Sequence, residues 1–152
     1  MGAIPDVVEK IPEVRVYGTK LTLEIVMRDV SKEFIDKVNF IEIKPHNKID
    51  FGNNSIFPIS VTHSIPDSVC YVLYTRDGAI AYTGDFTFDS TMMGSYKTDI
   101  GKLAYVGKQG VLCLLSESFY SDKPGHTSPN NRVGSFIREV LTKSQDRIIA
   151  TI

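Results

Sequence analysis

His63 and Asp85 are two side chains of this chain that could act together in chemistry, because a predicted β-hairpin lies between them. Residues 69–75 and 79–83 are rich in β-branched, aromatic and apolar residues, and the Asp77-Gly78 pair between these runs is typical of a hairpin turn. Such a hairpin brings a histidine at one strand end and a carboxylate at another to the same edge of a sheet. Imidazole and carboxylate are ligand types that zinc prefers.

The spacing alone leaves two interpretations of His63 open. Pairing centred on Asp77-Gly78 predicts that Asp85 lies opposite about Cys70. The Asp85 carboxylate can then lie close to the His63 side chain. Metal sites need three or four ligands, however, and a single histidine in an α/β protein is more often hydrogen-bonded than metal-bound.

The sequence around both residues resembles the ribonuclease J family, whose members are β-CASP nucleases with a metallo-β-lactamase fold. The matching motifs are T-H-S-I-P-D-S at residues 62–68 and T-G-D-F-T-F-D at residues 83–89. In that family the histidine of the first motif and the first aspartate of the second are metal ligands. The resemblance implies that His63 binds one zinc ion and that the catalytic Asp85 bridges two.

A third matching segment, V-L-C-L-L-S-E-S at residues 111–118, resembles the strand that carries the acidic first β-CASP motif. Ribonuclease J members usually have aspartate at this place, and glutamate is common in other β-CASP nucleases. The resemblance implies that Glu117 is catalytic, as a group beside the metals that orients them or relays a proton.

Other polar residues near the motifs have two interpretations each. Asp67 and Asp89 could fix the His63 ring and the Asp85 carboxylate by hydrogen bonds, or could stabilise turns. His46 lies in a polar turn and is expected to be exposed, and His126 is expected on a loop surface.

The resemblance also predicts the fold and the domain organisation. It implies a partial metallo-β-lactamase αββα sandwich, an α/β fold with a mixed sheet and flanking helices, over residues 1–145. Residues 146–152 correspond to the start of a β-CASP domain. The motif H-x-H-x-D-H is expected just before M-G-A-I-P at residues 1–5, so the fragment itself is expected to be inactive and to bind zinc weakly.

Hydrophobic periodicity predicts alternating helices and strands. Helices are predicted over about 4–10, 20–29, 31–37, 99–106 and onward from Ser128-Pro129, and strands over about 14–17, 38–44, 49–51, 56–61, 69–75, 79–83 and 110–115. Strand 110–115 is predicted to be buried, together with both cysteines, Cys70 and Cys113. The last helix has an apolar stripe that predicts core packing: Val133, Phe136, Ile137, Val140 and Leu141.

Composition fits one globular domain and excludes few functions. The chain has 152 residues, 42% of them hydrophobic and 23% charged, with a net charge of −1. That charge gives no basic surface for nucleic acid, since phosphate binding depends on clustered lysine and arginine. The sequence has no run of about 18 apolar residues, the length that a membrane-spanning helix needs. No membrane partner is therefore predicted, and a cytoplasmic location is expected.

The function implied by the resemblance is zinc-dependent hydrolysis of RNA, by endonuclease and 5′-to-3′ exonuclease cleavage in RNA processing and decay, including rRNA processing. Two alternatives stay open: a metallo-β-lactamase-fold hydrolase of a small ester or thioester, and a non-catalytic scaffold homologue. Exposed sheet edges also predict homo-oligomers or self-association.

Overall fold

The computed structural model describes residues 2–89, 91–125 and 130–149, which form a mixed α/β structure. This confirms the predicted fold class, a mixed sheet with flanking helices. The elements are α1 (Ile4–Lys10), β1 (Arg15–Gly18), α2 (Lys20–Asp29), α3 (Lys32–Ile35), β2 (Asn39–Glu42), β3 (Ile49–Phe51), β4 (Asn54–Ser60), β5 (Val69–Thr75), β6 (Gly78–Tyr82), a 3₁₀ turn (Gly94–Tyr96), α4 (Ile100–Gln109), β7 (Cys113–Leu115) and α5 (Asn130–Lys143).

Two sheets organise these elements. The five-stranded sheet has the order β3-β4-β5-β6-β7; its first three pairings are antiparallel and the pairing of β6 with β7 is parallel. Strands β1 and β2 form a separate parallel pair.

Each sheet has its own apolar core. On the five-stranded sheet the buried cluster consists of Ile59, Val61, Cys70, Val72 and Ala79 from the strand region and Val106 from α4. The second cluster joins α1 and α2 to the region of the two-stranded sheet through Val8, Val26, Val30 and Val38. Alternate residues of β5 face the first core, as the period-2 pattern of that strand predicts.

The hairpin between β5 and β6 has a different register from the predicted one. Thr75 pairs with Gly78, so the loop consists of Arg76 and Asp77. The Thr75 hydroxyl donates to the Gly78 carbonyl (2.9 Å) and accepts from the Asp77 N–H (3.2 Å), which closes the turn around this threonine. Cys70 is therefore not opposite Asp85.

Position 78 needs a glycine because of its backbone angle and because Leu112 lies close to it. Its φ is 146°, which side chains rarely adopt, and a Cβ at this position would lie 3.0 Å from the Leu112 Cβ. The glycine thus permits close packing of the β6 start against the segment before β7.

The prediction of a buried strand over 110–115 is wrong. Strand β7 is short, exposed and at the edge of the sheet, and Leu112, Leu114 and Leu115 are all more than half exposed. Cys113 is exposed and only Cys70 is buried; both are free thiols. Burial raises the pKa of the Cys70 thiol to about 11.

The apolar stripe of α5 is also not core. Val133, Phe136, Ile137 and Leu141 are each at least half exposed, so the correct amphipathic pattern has no covering element within the described residues. The predicted helix start at Ser128-Pro129, His126 and residues 150–152 lie outside the described residues. Among the described helices, none is long and apolar enough to cross a membrane.

Candidate functional site

Thr62 holds the backbone that carries His63. Its side chain is buried, and its hydroxyl donates to the Tyr96 carbonyl (2.6 Å) and accepts from the Thr98 hydroxyl (2.9 Å). The Thr62 N–H donates to the Thr98 Oγ1 (2.8 Å), and its carbonyl accepts from the Thr87 N–H (2.8 Å). Four hydrogen bonds therefore fix the residue directly before His63.

We expect Thr62→Val to lower the free energy of unfolding by about 1–3 kcal/mol, because valine keeps the shape but leaves buried partners unpaired. Urea denaturation measures this loss. Thr142→Val, on the exposed face of α5, is the control and is expected to change stability by less than about 0.5 kcal/mol. Equal effects of the two substitutions would show that the Thr62 network does not stabilise this region.

Asp85 lies just beyond β6, after a short turn. The Thr83 N–H donates to the Leu115 carbonyl (3.0 Å), which extends the contact with β7. Gly84 then turns the chain with a φ of 60°, a conformation that glycine adopts at little cost. The Asp85 side chain is 75% exposed, as a carboxylate that contacts a ligand would be.

His63 and Asp85 face each other, as the sequence predicts. The His63 Nε2 lies 3.9 Å from the Asp85 Oδ2 and 3.4 Å from the Ser64 Oγ, and the His63 side chain is 30% exposed. A Zn–N and a Zn–O bond together measure about 4.2 Å, so one cation between the two atoms could contact both. The donor types and their separation fit a shared metal ion.

Glu117 reaches the same region from the end of β7. Its N–H donates to the Thr83 Oγ1 (3.3 Å), and its Oε2 accepts from the Phe119 N–H (2.6 Å). The first bond ties Glu117 to the turn that carries Asp85. The second leaves the Glu117 Oε1 without a hydrogen bond to any described residue.

One open cleft contains all three predicted site residues. It has a volume of about 1320 Å³, and His63, Asp85 and Glu117 line it together with Phe86, Thr87, Phe88 and residues 118–125. These three residues thus bring one imidazole and two carboxylates to the cleft, and Asp122 adds a third carboxylate to its lining. Their catalytic and ligand roles stay predictions.

Asp67 and Asp89 have clear roles in turns. Asp67 has a φ of 56°, its N–H donates to the Ser95 carbonyl (2.8 Å), and its carboxylate makes no hydrogen bond to His63. The Asp89 Oδ1 accepts from the Thr91 N–H (2.9 Å) and the Thr91 hydroxyl (2.6 Å). A role of either residue in fixing the metal ligands stays a prediction.

The metal-binding set in the described residues is incomplete. No group of three or more histidine, cysteine, aspartate or glutamate side chains could hold a metal ion within residues 2–89, 91–125 and 130–149. His63 and Asp85 supply two donors, whereas a zinc site has three or four protein ligands.

His46 is not the exposed turn residue that the sequence predicts. It is partly buried with a φ of 71°, and its N–H donates to the Pro58 carbonyl (2.7 Å). Its Nε2 lies 3.3 Å from the Ser60 Oγ and 3.8 Å from the Asp99 Oδ2. Asp99 caps α4 by accepting from the Lys102 N–H (2.9 Å) and from the Lys102 ammonium (3.0 Å).

The environment of His46 predicts that the stability of the chain depends on pH. Burial and then the Lys102 ammonium lower the pKa of His46, against the smaller opposing effect of Asp99. Above the ordinary histidine pKa of about 6.5 the imidazole is neutral in both states and its contribution to stability is complete. As the pH falls through that value, the unfolded chain binds a proton before the folded chain does, so the free energy of unfolding falls.

His46→Asn removes this titration and keeps a residue that tolerates a positive φ. We expect the variant to lose less stability than the wild-type chain between about pH 7.5 and about pH 5.5, as measured by urea denaturation at both pH values. An identical loss in the two proteins would contradict the role of His46.

Sequence reasoning missed two parts of this region. It did not find the Thr62–Thr98 pair, because a threonine beside a strand gives no sign of a distant hydroxyl partner. It also gave no role to the aromatic pair Phe119-Tyr120, although these adjacent residues directly follow the motif that contains Glu117 and could have drawn attention.

The structure is thus a mixed α/β protein with His63, Asp85 and Glu117 together at one edge of a sheet. Comparisons with known proteins relate the chain to ribonucleases. The chain is 35% identical over 152 residues to "Ribonuclease J 2" of Staphylococcus aureus strain NCTC 8325 / PS 47, covering 99% of this chain and 27% of that protein. It is 33% identical, with the same coverage, to "Ribonuclease J 2" of Staphylococcus saprophyticus. No protein-family model matches the chain. The chain is therefore a relative of ribonuclease J, which confirms the predicted relationship, and it spans 27% of the length of these curated relatives.

One solved structure supports the fold of this chain. A protein of unknown function from Enterococcus faecalis V583 matches with a TM-score of 0.61 at 20% identity, covering 86% of this chain and 34% of that one. The metallo-β-lactamase fold protein YhfI from Bacillus subtilis matches with a TM-score of 0.44 at 14% identity, covering 59% of this chain and 37% of that one.

Proposed function

We propose that this chain supplies part of the active site of a metal-dependent ribonuclease that hydrolyses RNA phosphodiester bonds. The observation that carries the proposal is the joint placement of His63, Asp85 and Glu117 in one cleft. The 35% identity to ribonuclease J 2 supports RNA as the substrate.

In this proposal His63 and Asp85 would hold zinc, since their side chains supply an imidazole nitrogen and a carboxylate oxygen 3.9 Å apart. When bound, two metal ions activate a water molecule at neutral pH and stabilise charge on the attacking and leaving oxygens. His63 is held in position by the Thr62 network before it. Glu117, fixed through its N–H to Thr83, accepts or returns a proton at its Oε1, the oxygen that has no hydrogen bond to a described residue.

The finer assignments are also part of the proposal. They are a metallo-β-lactamase core over residues 1–145, the start of a β-CASP domain over 146–152, both endonuclease and 5′-to-3′ exonuclease cleavage, action in the cytoplasm, and homo-oligomers or self-association through exposed sheet edges. We further propose that the 152-residue chain alone is inactive and binds zinc weakly, since two donors do not enclose an ion.

A non-catalytic scaffold is the second candidate, because the described residues contain no third metal ligand. A hydrolase of a small ester or thioester is the third, and it would share His63 and Asp85 but would not need an acidic Glu117. These candidates differ in what the full-length gene product turns over.

The test is an assay of the full-length gene product with zinc, on a 5′-monophosphorylated single-stranded RNA and on a small thioester. We expect cleavage of the RNA and no turnover of the thioester. Thioester hydrolysis without RNA cleavage would favour the small-molecule hydrolase, and no turnover of either would favour the scaffold.

A further inference from the structure

Two adjacent aromatic rings, Phe119 and Tyr120, are displayed at the wall of the cleft. Phe119 is 77% exposed and Tyr120 is 58% exposed, although large aromatic side chains are usually well buried. Their ring centroids lie 4.1 Å apart at an angle of 44°. Both residues line the same cleft as His63, Asp85 and Glu117.

Specific contacts hold this pair in place. Tyr120 has a φ of 64°, an uncommon and costly conformation for a bulky residue. The Lys123 ammonium lies 4.2 Å from the centroid of the Tyr120 ring, and the Lys123 N–H donates to the Tyr120 carbonyl (3.0 Å). The Phe119 N–H donates to the Glu117 Oε2 (2.6 Å), so the position of the rings is tied to the carboxylate at the candidate site.

We propose that Phe119 and Tyr120 form a stacking platform for the bases of single-stranded RNA, with Lys123 contacting a phosphate beside it. This inference rests on the proposed ribonuclease function and names the residues that would position its substrate. Every base has a face that can stack on an aromatic ring, so such a platform binds RNA without sequence preference.

The charges at the cleft favour stacking as the source of affinity. Asp85, Glu117 and Asp122 line it and repel phosphate, and Lys123 is the one lysine or arginine among the described residues of its lining. With a net charge of −1, the chain cannot rely on phosphate contacts in the way that basic nucleic-acid-binding domains do. Uncharged base faces beside one ammonium group suit this surface.

The test measures binding of the 152-residue chain to a single-stranded oligoribonucleotide that contains 2-aminopurine, whose fluorescence falls when the base stacks. Phe119→Ala and Tyr120→Ala are each expected to weaken binding about tenfold and to reduce the quenching. Phe119→Trp is expected to retain both. Tyr105→Ala, which removes an exposed tyrosine of α4 that does not line the cleft, is the matched control and is expected to change neither.

An oligoribonucleotide with abasic positions separates stacking from other contacts. We expect wild-type and Phe119→Ala chains to bind it equally weakly. Three results would each overturn the platform: unchanged affinity in both alanine variants, no binding of RNA by the wild-type chain, or a Phe119→Ala variant that binds abasic RNA about tenfold more weakly than the wild-type chain does.

The binding test of the platform and the cleavage test of the proposed ribonuclease function can fail separately. Quenching of 2-aminopurine reports contact between a base and an aromatic ring and requires no cleavage. If stacking is observed but the full-length gene product does not cleave RNA, the ribonuclease proposal fails and the platform stands. If cleavage is observed without stacking, only the platform fails.

Discussion

Asp85→Ala in the full-length gene product is expected to reduce RNA cleavage by about a thousandfold or more, because the metal ions it would hold contribute several kcal/mol to transition-state stabilisation. His63→Ala is expected to have a loss of the same order, since both residues serve one site. The Asp85 carboxylate is 75% exposed, so its removal is not expected to unfold the chain. Single-turnover cleavage of a 5′-monophosphorylated RNA measures the effect.

Asp77→Ala is the matched control for Asp85→Ala. The Asp77 side chain is similarly exposed, at 72%, and contacts Arg76 in the hairpin loop, at the opposite end of β6 from Asp85. We expect the Asp77→Ala variant to cleave RNA at the wild-type rate. Wild-type cleavage by Asp85→Ala and His63→Ala would refute the assignment of the site.

Ile59→Ala is expected to lower the free energy of unfolding by about 3–4 kcal/mol, because it opens a cavity in the main core. Ile59 is fully buried near the end of β4, where it packs in the cluster with Val72 and Val106. The same strand leads to Thr62 and His63, so a loss of packing there also loosens the candidate site.

Ile137→Ala is the comparison for this core substitution. Ile137 is 51% exposed on α5, so we expect its truncation to cost less than about 1 kcal/mol. Urea denaturation of both variants gives the two values. Similar losses would mean that α5 is covered in solution and that the core is distributed differently.

Local patterns predicted much of the site. The meeting of His63 and Asp85 depends on one hairpin, which has short-range signals in its β-formers and its turn. The exact register was wrong because the Thr75 side chain closes the turn and Gly78 enters the strand. That detail depends on side-chain hydrogen bonds that a turn preference does not contain.

Burial was harder to predict than secondary structure. The apolar residues of β7 and the stripe of α5 indicate which faces avoid water, but a sequence pattern does not say what covers them. His46 shows the opposite error, since its polar neighbours predict exposure while Ser60 and Asp99 cover part of its side chain. Contacts between residues distant in sequence decide each of these cases.

The most direct test of the central claim, that His63 and Asp85 belong to a metal-dependent ribonuclease site, is RNA cleavage by the full-length gene product before chelation, after chelation and after zinc is restored. We predict that wild-type cleavage is lost with the chelator and recovered with zinc, and that Asp85→Ala cleaves under none of these conditions. Cleavage that withstands chelation, or that Asp85→Ala retains, would contradict the assignment.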